Sequence, residues 1–231
     1  MSPADPASAI RLSLQVGLWC AVLGLPAALA LGWLLARRSF PGKALLGTAV
    51  LSPLVLPPVV TGFLLLELLG RRGLIGRALE VAGIHVPFTF AAAVLAAMVM
   101  GMPLYVFAIR TVFEALDPRY EEVSWTLGVP PRRTFLRVTL PLLLPGIGAG
   151  ATLAFARALG EFGATAVLAG NVEGRTRTIA LAVYTLLGAP DGARATRWLV
   201  LGSLALSCGS LAAYEALSRW QRRRLELRHG D

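Results

Sequence analysis

The chain has 231 residues, of which 56% are hydrophobic and 15% are charged, and its formal net charge is +9. Its mean hydropathy is +0.67. Soluble domains carry about a quarter charged residues, so this composition predicts a membrane protein and excludes an ordinary soluble domain. The basic residues lie at the ends of apolar runs, which argues against nucleic acid as a partner and indicates contact with membrane lipid.

Five apolar runs are long enough to cross about 30 Å of hydrocarbon at 1.5 Å per helical residue. They predict transmembrane helices over Leu12–Ala36, Ala44–Leu69, Phe88–Ile109, Leu140–Leu168 and Trp198–Leu217. The short apolar stretch Ile179–Leu187 cannot span and is predicted to lie at or partly within the outer interface. No shift in composition divides the chain. We therefore predict an all-α integral membrane protein with one domain, residues 1–231.

The distribution of basic residues predicts the orientation of the spans. With the N-terminus outside, the cytoplasmic segments hold 13 of the 22 Lys and Arg residues and the outer segments hold 8, with Arg157 inside a span. Basic loops favour the cytoplasm, and the cluster Arg222-Arg223-Arg224 strengthens the bias. The prediction is an external N-terminus and a cytoplasmic C-terminus.

Two adjacent prolines interrupt the second apolar run. Pro57 and Pro58 follow Pro53 by one helical turn, and proline both removes a backbone donor and clashes with the preceding turn. Broken backbone at membrane depth persists only where protein or a water-lined cavity covers it, and in transporters it often lines the substrate route. Pro57, Pro58 and Thr61 are therefore candidate pathway residues. The alternative is a proline kink that only shapes packing.

A polar segment, residues 114–139, separates the third and fourth runs and is predicted to lie at the membrane surface. Asp117-Pro118 predicts a helix start, Gly128 can supply the positive φ that ends this helix, and Pro130-Pro131 opens a second short helix. This pattern predicts a compact helix–corner–helix unit that fits a groove on a soluble partner. The alternative is an ordinary polar connector.

The fourth run contains an intramembrane charge pair. Arg157 and Glu161 are four residues apart and can pair on one helix face. Ionised groups are costly in lipid, so both should face the bundle interior or an aqueous cavity. The pair is either a structural salt bridge that fixes helix register or a gate beside the pathway. Thr165, one turn further, is a candidate pathway hydroxyl.

No other chemical motif is recognisable in the sequence. Cys20 and Cys208 lie inside apolar runs and are predicted to be packing residues, and the histidines His85 and His229 lack metal-ligand spacing. There is no Walker-type phosphate-binding loop. We therefore predict no catalytic, cofactor-binding or metal site in this chain.

The segment from Glu122 through Gly128 to Leu140-Pro141 resembles the EAA loop by which permease subunits of bacterial ABC importers bind their ATPase. Val123-Ser124 stand where that family has two alanines, and Val138 stands where it has isoleucine. The whole chain resembles the molybdate ABC transporter permease (ModB) family. The segments that carry this wider resemblance are Leu54–Val60, Gly70–Gly73, Phe155–Thr165 and Thr176–Ile179.

The resemblance implies a type I ABC importer (MetI-like) permease fold in the bacterial cytoplasmic membrane. It implies a homodimer, two cytoplasmic ATPase subunits that bind the ATP, a periplasmic molybdate-binding protein, and transport by alternating access. The residues it assigns to ATPase coupling are Glu122, Val123, Ser124, Gly128, Leu140 and Pro141. Sulfate, thiosulfate or tungstate are alternative substrates. A membrane-embedded enzyme using Glu161, Arg157 or His85, or a passive scaffold binding through its basic tail, are alternatives from other classes.

Overall fold

The computed structural model of the protein describes residues 6–189 and 192–226, without the side chains of residues 218 and 220–226. The described residues form eleven α-helices and contain no strand. The helices are α1 Pro6–Arg37, α2 Lys43–Val55, α3 Pro58–Leu69, α4 Leu74–Val81, α5 Phe90–Ala115, α6 Arg119–Thr126, α7 Pro131–Thr134, α8 Leu140–Leu159, α9 Gly163–Leu168, α10 Ile179–Leu187 and α11 Ala193–Glu226. A π-helical turn, Phe135–Thr139, joins α7 to α8.

Four helical segments have the length and apolar composition of membrane spans. They are α1, α5, the continuous segment Pro131–Leu159, and the Ala193–Leu217 part of α11. The helices α2 and α3 qualify only together, and the chain bends by 117° between them. The described residues thus contain four candidate spans, or five if the bent pair counts as one.

Helix α5 lies at the centre and packs against α1 and α8. Its buried face is rich in alanine, which lets neighbouring backbones approach closely, as is common between membrane helices. Glycines on the facing helices extend this close packing. A Cβ atom at Gly32 would lie 2.6 Å from Ile109, and one at Gly17 would lie 2.8 Å from the Phe155 ring.

Hydrogen bonds between distant residues show which helix ends lie together at the two ends of the bundle. At one end the Ser13 hydroxyl accepts a hydrogen bond from the Ile179 amide at 2.8 Å. At the other end Arg37 Nη2 donates to the Leu116 carbonyl at 2.9 Å. Helices α1 and α5 therefore finish together beside the 114–139 segment, and α8 runs back from it.

Two predicted spans are interrupted in the structure. The run predicted as Ala44–Leu69 is the bent pair α2–α3, because Leu56 and Pro57 are extended, with ψ of 141° and 133°. The prediction of one continuous helix over Leu140–Leu168 is wrong. Helix α8 ends at Leu159 and α9 begins at Gly163, with the break at Gly160–Phe162. The end of the basic tail and His229 lie outside the described residues.

Candidate transport and coupling sites

Residues 114–139, which we call the coupling segment, form the predicted helix–corner–helix unit. Asp117 Oδ1 accepts a hydrogen bond from the Arg119 amide at 2.9 Å and so caps α6. The helix ends at Thr126, and Gly128 follows with a φ of 76°, a left-handed conformation that favours glycine. Its amide donates to the Trp125 carbonyl at 2.9 Å.

Two side-chain hydrogen bonds hold the coupling segment together. The hydroxyls of Ser124 and Thr134 lie 2.9 Å apart and join α6 to α7. The Thr139 hydroxyl donates to Glu121 Oε1 at 2.7 Å and joins α6 to the π-helical turn. Ser124, Thr134 and Thr139 are all buried. Glu121, Thr134 and Thr139 were not predicted from the sequence, because no local pattern connects residues ten or eighteen positions apart.

The remaining predicted coupling residues lie at the surface. Glu122 and Val123 are exposed, and Pro141 is exposed at the start of α8 beside the half-buried Leu140. Ser124, by contrast, is buried and contacts Thr134, so it does not form part of the exposed surface. The large apolar side chains of this segment are also exposed: Tyr120, Val123, Trp125, Leu127 and Leu136. An exposed apolar group of this kind indicates a protein contact.

The breaks in the second and fourth runs lie against each other. A Cβ atom at Gly163, the first residue of α9, would lie 2.9 Å from Pro58 Cβ, at the first residue of α3. One turn later a Cβ atom at Gly62 would lie 2.7 Å from Ala164 Cα. The structure therefore brings together the predicted pathway residues of both runs at the start of α3 and α9.

Glu161 occupies the break between α8 and α9 and is only 2% exposed. Its Oε1 accepts a hydrogen bond from the Ala164 amide at 2.8 Å and so caps α9. Its Oε2 lies 2.8 Å from Arg157 Nη1, an ion pair without the alignment of a hydrogen bond. The Arg157 side chain is 24% exposed. The predicted pairing is present, although Glu161 follows the end of α8 and does not continue it.

The predicted pathway residues differ in exposure. Pro57 and Pro58 are exposed, whereas Thr61 and Thr165 are buried. The Thr61 hydroxyl has no hydrogen-bond partner among the described residues. Within residues 6–189 and 192–226, no three His, Cys, Asp or Glu side chains are placed to hold a metal ion. The two breaks therefore carry the buried hydroxyls of Thr61 and Thr165 and one ion pair, Arg157–Glu161, whose charges neutralise each other.

Comparison with known proteins identifies the family. A sequence profile of the family described as binding-protein-dependent transport system inner membrane component matches residues 28–225. The chain belongs to this family. Its apolar helices and this membership show a multi-pass inner-membrane protein. The resemblance to ABC importer permeases stated from the sequence is confirmed.

The chain is also similar to individual transport proteins. The chain is 48% identical over 217 residues to the molybdenum transport system permease protein ModB of Escherichia coli (strain K12), covering 94% of this chain and 95% of that protein. It is 44% identical over 219 residues to ModB of Haemophilus influenzae, covering 94% and 96%. The fold matches a crystal structure of a bacterial ABC transporter involved in the import of the acidic polysaccharide alginate. That match has a TM-score of 0.68 and 16% identity, and it covers 94% of this chain and 79% of that chain. The predicted permease fold is confirmed.

Proposed function

We propose that this chain is the permease subunit of an ABC importer that translocates molybdate across the cytoplasmic membrane. The observation that carries this proposal is the 48% identity to the Escherichia coli molybdenum permease along nearly the whole chain. The aligned length is great enough to include the coupling segment and both broken runs. Sulfate, thiosulfate and tungstate remain the alternative substrates.

The chain contributes the pathway and not the energy source. ATP is bound by separate cytoplasmic ATPase subunits, which contact the exposed side chains of the coupling segment, Glu122 and Val123 among them. A periplasmic binding protein delivers molybdate at the opposite end of the bundle. Movement of the ATPase subunits passes through the rigid unit at Gly128 into α8, which Leu140 and Pro141 begin, and the pathway opens alternately to each side.

A second copy of the chain completes the pathway. Helix α2 has no buried residue, although it is apolar along its length. Large apolar side chains on α2 and α3 are exposed, including Leu54, Val55, Val59 and Phe63. A homodimer that joins these faces would cover them and would place the exposed Pro57 and Pro58 near the pathway.

The proposed orientation has the N-terminus outside and the C-terminus in the cytoplasm. Its support is the excess of basic residues at the end of the bundle where α1 finishes and the coupling segment lies. Single cysteines at Ser2 and His229, in a background without Cys20 and Cys208, test it in intact spheroplasts. A membrane-impermeant reagent should label only the first, and labelling of both would contradict the proposal.

Reconstitution tests the transport function and its substrate. Proteoliposomes would hold the permease, its ATPase and the binding protein, loaded with molybdate or with sulfate. We expect molybdate-loaded protein to stimulate ATP hydrolysis strongly and sulfate-loaded protein to do so much less. Stimulation only by the sulfate-loaded protein would refute the molybdate assignment and keep the importer. Enzymatic activity of the purified permease without the ATPase would refute its assignment as an importer subunit.

A further inference from the structure

A cavity of about 810 Å³ lies between the end of α1, the end of α5 and the coupling segment. One side of it is apolar and includes Leu29, Ala30 and Phe113. The other side carries the charged residues Arg37, Arg38 and Glu121. The cavity is therefore amphipathic, and a ligand that fills it needs both a hydrocarbon part and an anionic part.

The cavity lies where α1 leaves the membrane. The apolar sequence of α1 continues to Ala36 and ends at Arg37-Arg38. At 1.5 Å per residue, Leu29 lies about 12 Å deeper along the helix than Arg37. Trp33 and Trp125 also line the cavity, and tryptophan is enriched at the membrane–water boundary. Leu29 and Ala30 thus lie at acyl-chain depth, and the arginines lie at headgroup depth.

The charged groups leave the cavity with excess positive charge. Arg37 Nη2 donates to the Leu116 carbonyl, but its Nε is buried without a hydrogen-bond partner among the described residues. The Arg38 guanidinium lies 5.3 Å from the centre of the Trp33 ring, a cation–π distance. The single anion, Glu121, accepts the hydrogen bond from Thr139 with one oxygen. Two cations therefore face one carboxylate that is already engaged.

We infer that this cavity binds an anionic phospholipid, with its phosphate on Arg37 and Arg38 and an acyl chain along Leu29, Ala30 and Phe113. Basic pockets between helices at the cytoplasmic surface are suited to such headgroups. A soluble phosphate or nucleotide would leave the apolar side in water. The assignment to the cytoplasmic leaflet rests on the proposed orientation, and the site itself does not.

The bound lipid would connect the end of α1 to the coupling segment. Its phosphate would contact α1, and its remaining surface would contact Trp125 of α6, Thr134 of α7 and Phe135 of the π-helical turn, which all line the cavity. Occupancy would thereby fix the coupling segment against the bundle. The inference predicts that anionic lipid raises coupled ATP hydrolysis by the assembled importer.

Tryptophan quenching tests the site directly. The permease, with Trp19, Trp198 and Trp220 replaced by Phe, keeps only Trp33 and Trp125 as fluorophores, and both line the cavity. Dibrominated phosphatidylglycerol should quench this protein in detergent at lower mole fraction than dibrominated phosphatidylcholine. Each arginine near the surface contributes about 1 kcal/mol, so Arg37→Gln and Arg38→Gln should each weaken the apparent affinity about fivefold.

A matched double variant controls for general surface charge. Arg110→Gln/Arg119→Gln removes the same charge from the same end of the bundle, outside the cavity, and should keep the preference. Arg37→Lys/Arg38→Lys keeps the charge and should retain most of it, which separates binding from misfolding. Equal quenching by the two lipids in the parent protein would overturn the inference. So would a preference that survives loss of both cavity arginines. Loss of the preference on assembly with the ATPase would assign the cavity to that subunit instead.

Discussion

Replacing Gly62 with alanine tests whether the contact between α3 and α9 matters for transport. A Cβ atom at this position would lie 2.7 Å from the Cα and 2.8 Å from the carbonyl oxygen of Ala164. Both are backbone atoms, so no side-chain rotation relieves the overlap. Because carbon atoms pack at about 3.5–4.0 Å, the two helices must separate by about 1 Å.

The energetic cost follows from two opposing effects. Overpacking a well-filled site costs about 1–3 kcal/mol, and the upper part of this range applies because the Glu161 side chain holds the start of α9 in place. Alanine is favoured over glycine inside a helix by about 1 kcal/mol. We therefore expect a net destabilisation on the order of 1–2 kcal/mol. Displacement of α9 should also lower molybdate uptake by more than the loss of folded protein explains.

Gly209→Ala provides the matched control for this experiment. Gly209 lies inside α11, and a Cβ atom there would have no neighbour within 4 Å, so the same change should be neutral or stabilising. Both variants would be compared for thermal inactivation in detergent and for uptake at equal abundance in the membrane. If Gly62→Ala behaves like Gly209→Ala in both measurements, the α3–α9 contact has no role in transport.

Three further changes test the two sites. Gly128→Ala should reduce ATPase stimulation, because a left-handed conformation costs alanine about 1–2 kcal/mol. Its abundance should stay normal, because nothing lies within 4 Å of the added Cβ atom. Gly128→Asn should retain more activity, and equal activity of the two variants would contradict this. Ser124→Ala should weaken coupling, because the buried Thr134 hydroxyl keeps only a 3.5 Å contact to the Val129 carbonyl; unchanged ATPase stimulation would refute it. Glu161→Gln should lower uptake, and it should destabilise the fold by less than the about 3–5 kcal/mol that breaking a fully buried pair costs, because Arg157 is partly exposed. Adding Arg157→Gln should restore uptake if the pair is structural and should fail to do so if it is a gate.

The sequence allowed prediction of features that depend on local chemistry. Asp117, Gly128 and Pro130-Pro131 determine the corner of the coupling segment through capping and backbone preference, and the structure has all three in the predicted roles. Pro57-Pro58 likewise predicted a break, because proline cannot continue the hydrogen bonding of a helix. These features involve neighbouring residues only.

Features that depend on distant contacts were not predicted. The break at Gly160 has no proline near it, since the nearest in this run is Pro145, and glycine alone does not end a helix. It forms because Glu161 caps α9 and α9 packs on α3, which is far away in sequence. The bond from Thr139 to Glu121 is of the same kind. For this reason Glu122, which matches the family motif, was predicted, whereas Glu121, which holds the segment together, was missed.

For the proposed transport of an oxyanion, we expect the two breaks to provide little binding. Three features at this place each reduce the attraction for an anion. Glu161 caps α9 and so occupies its positive end, the same carboxylate neutralises Arg157, and Pro57 and Pro58 lack the N–H groups that would begin α3. A strongly attractive site would hold a dianion and slow its release. With that attraction removed, we expect a passing oxyanion to be held only weakly at this place, and discrimination between molybdate and sulfate to depend on the binding protein.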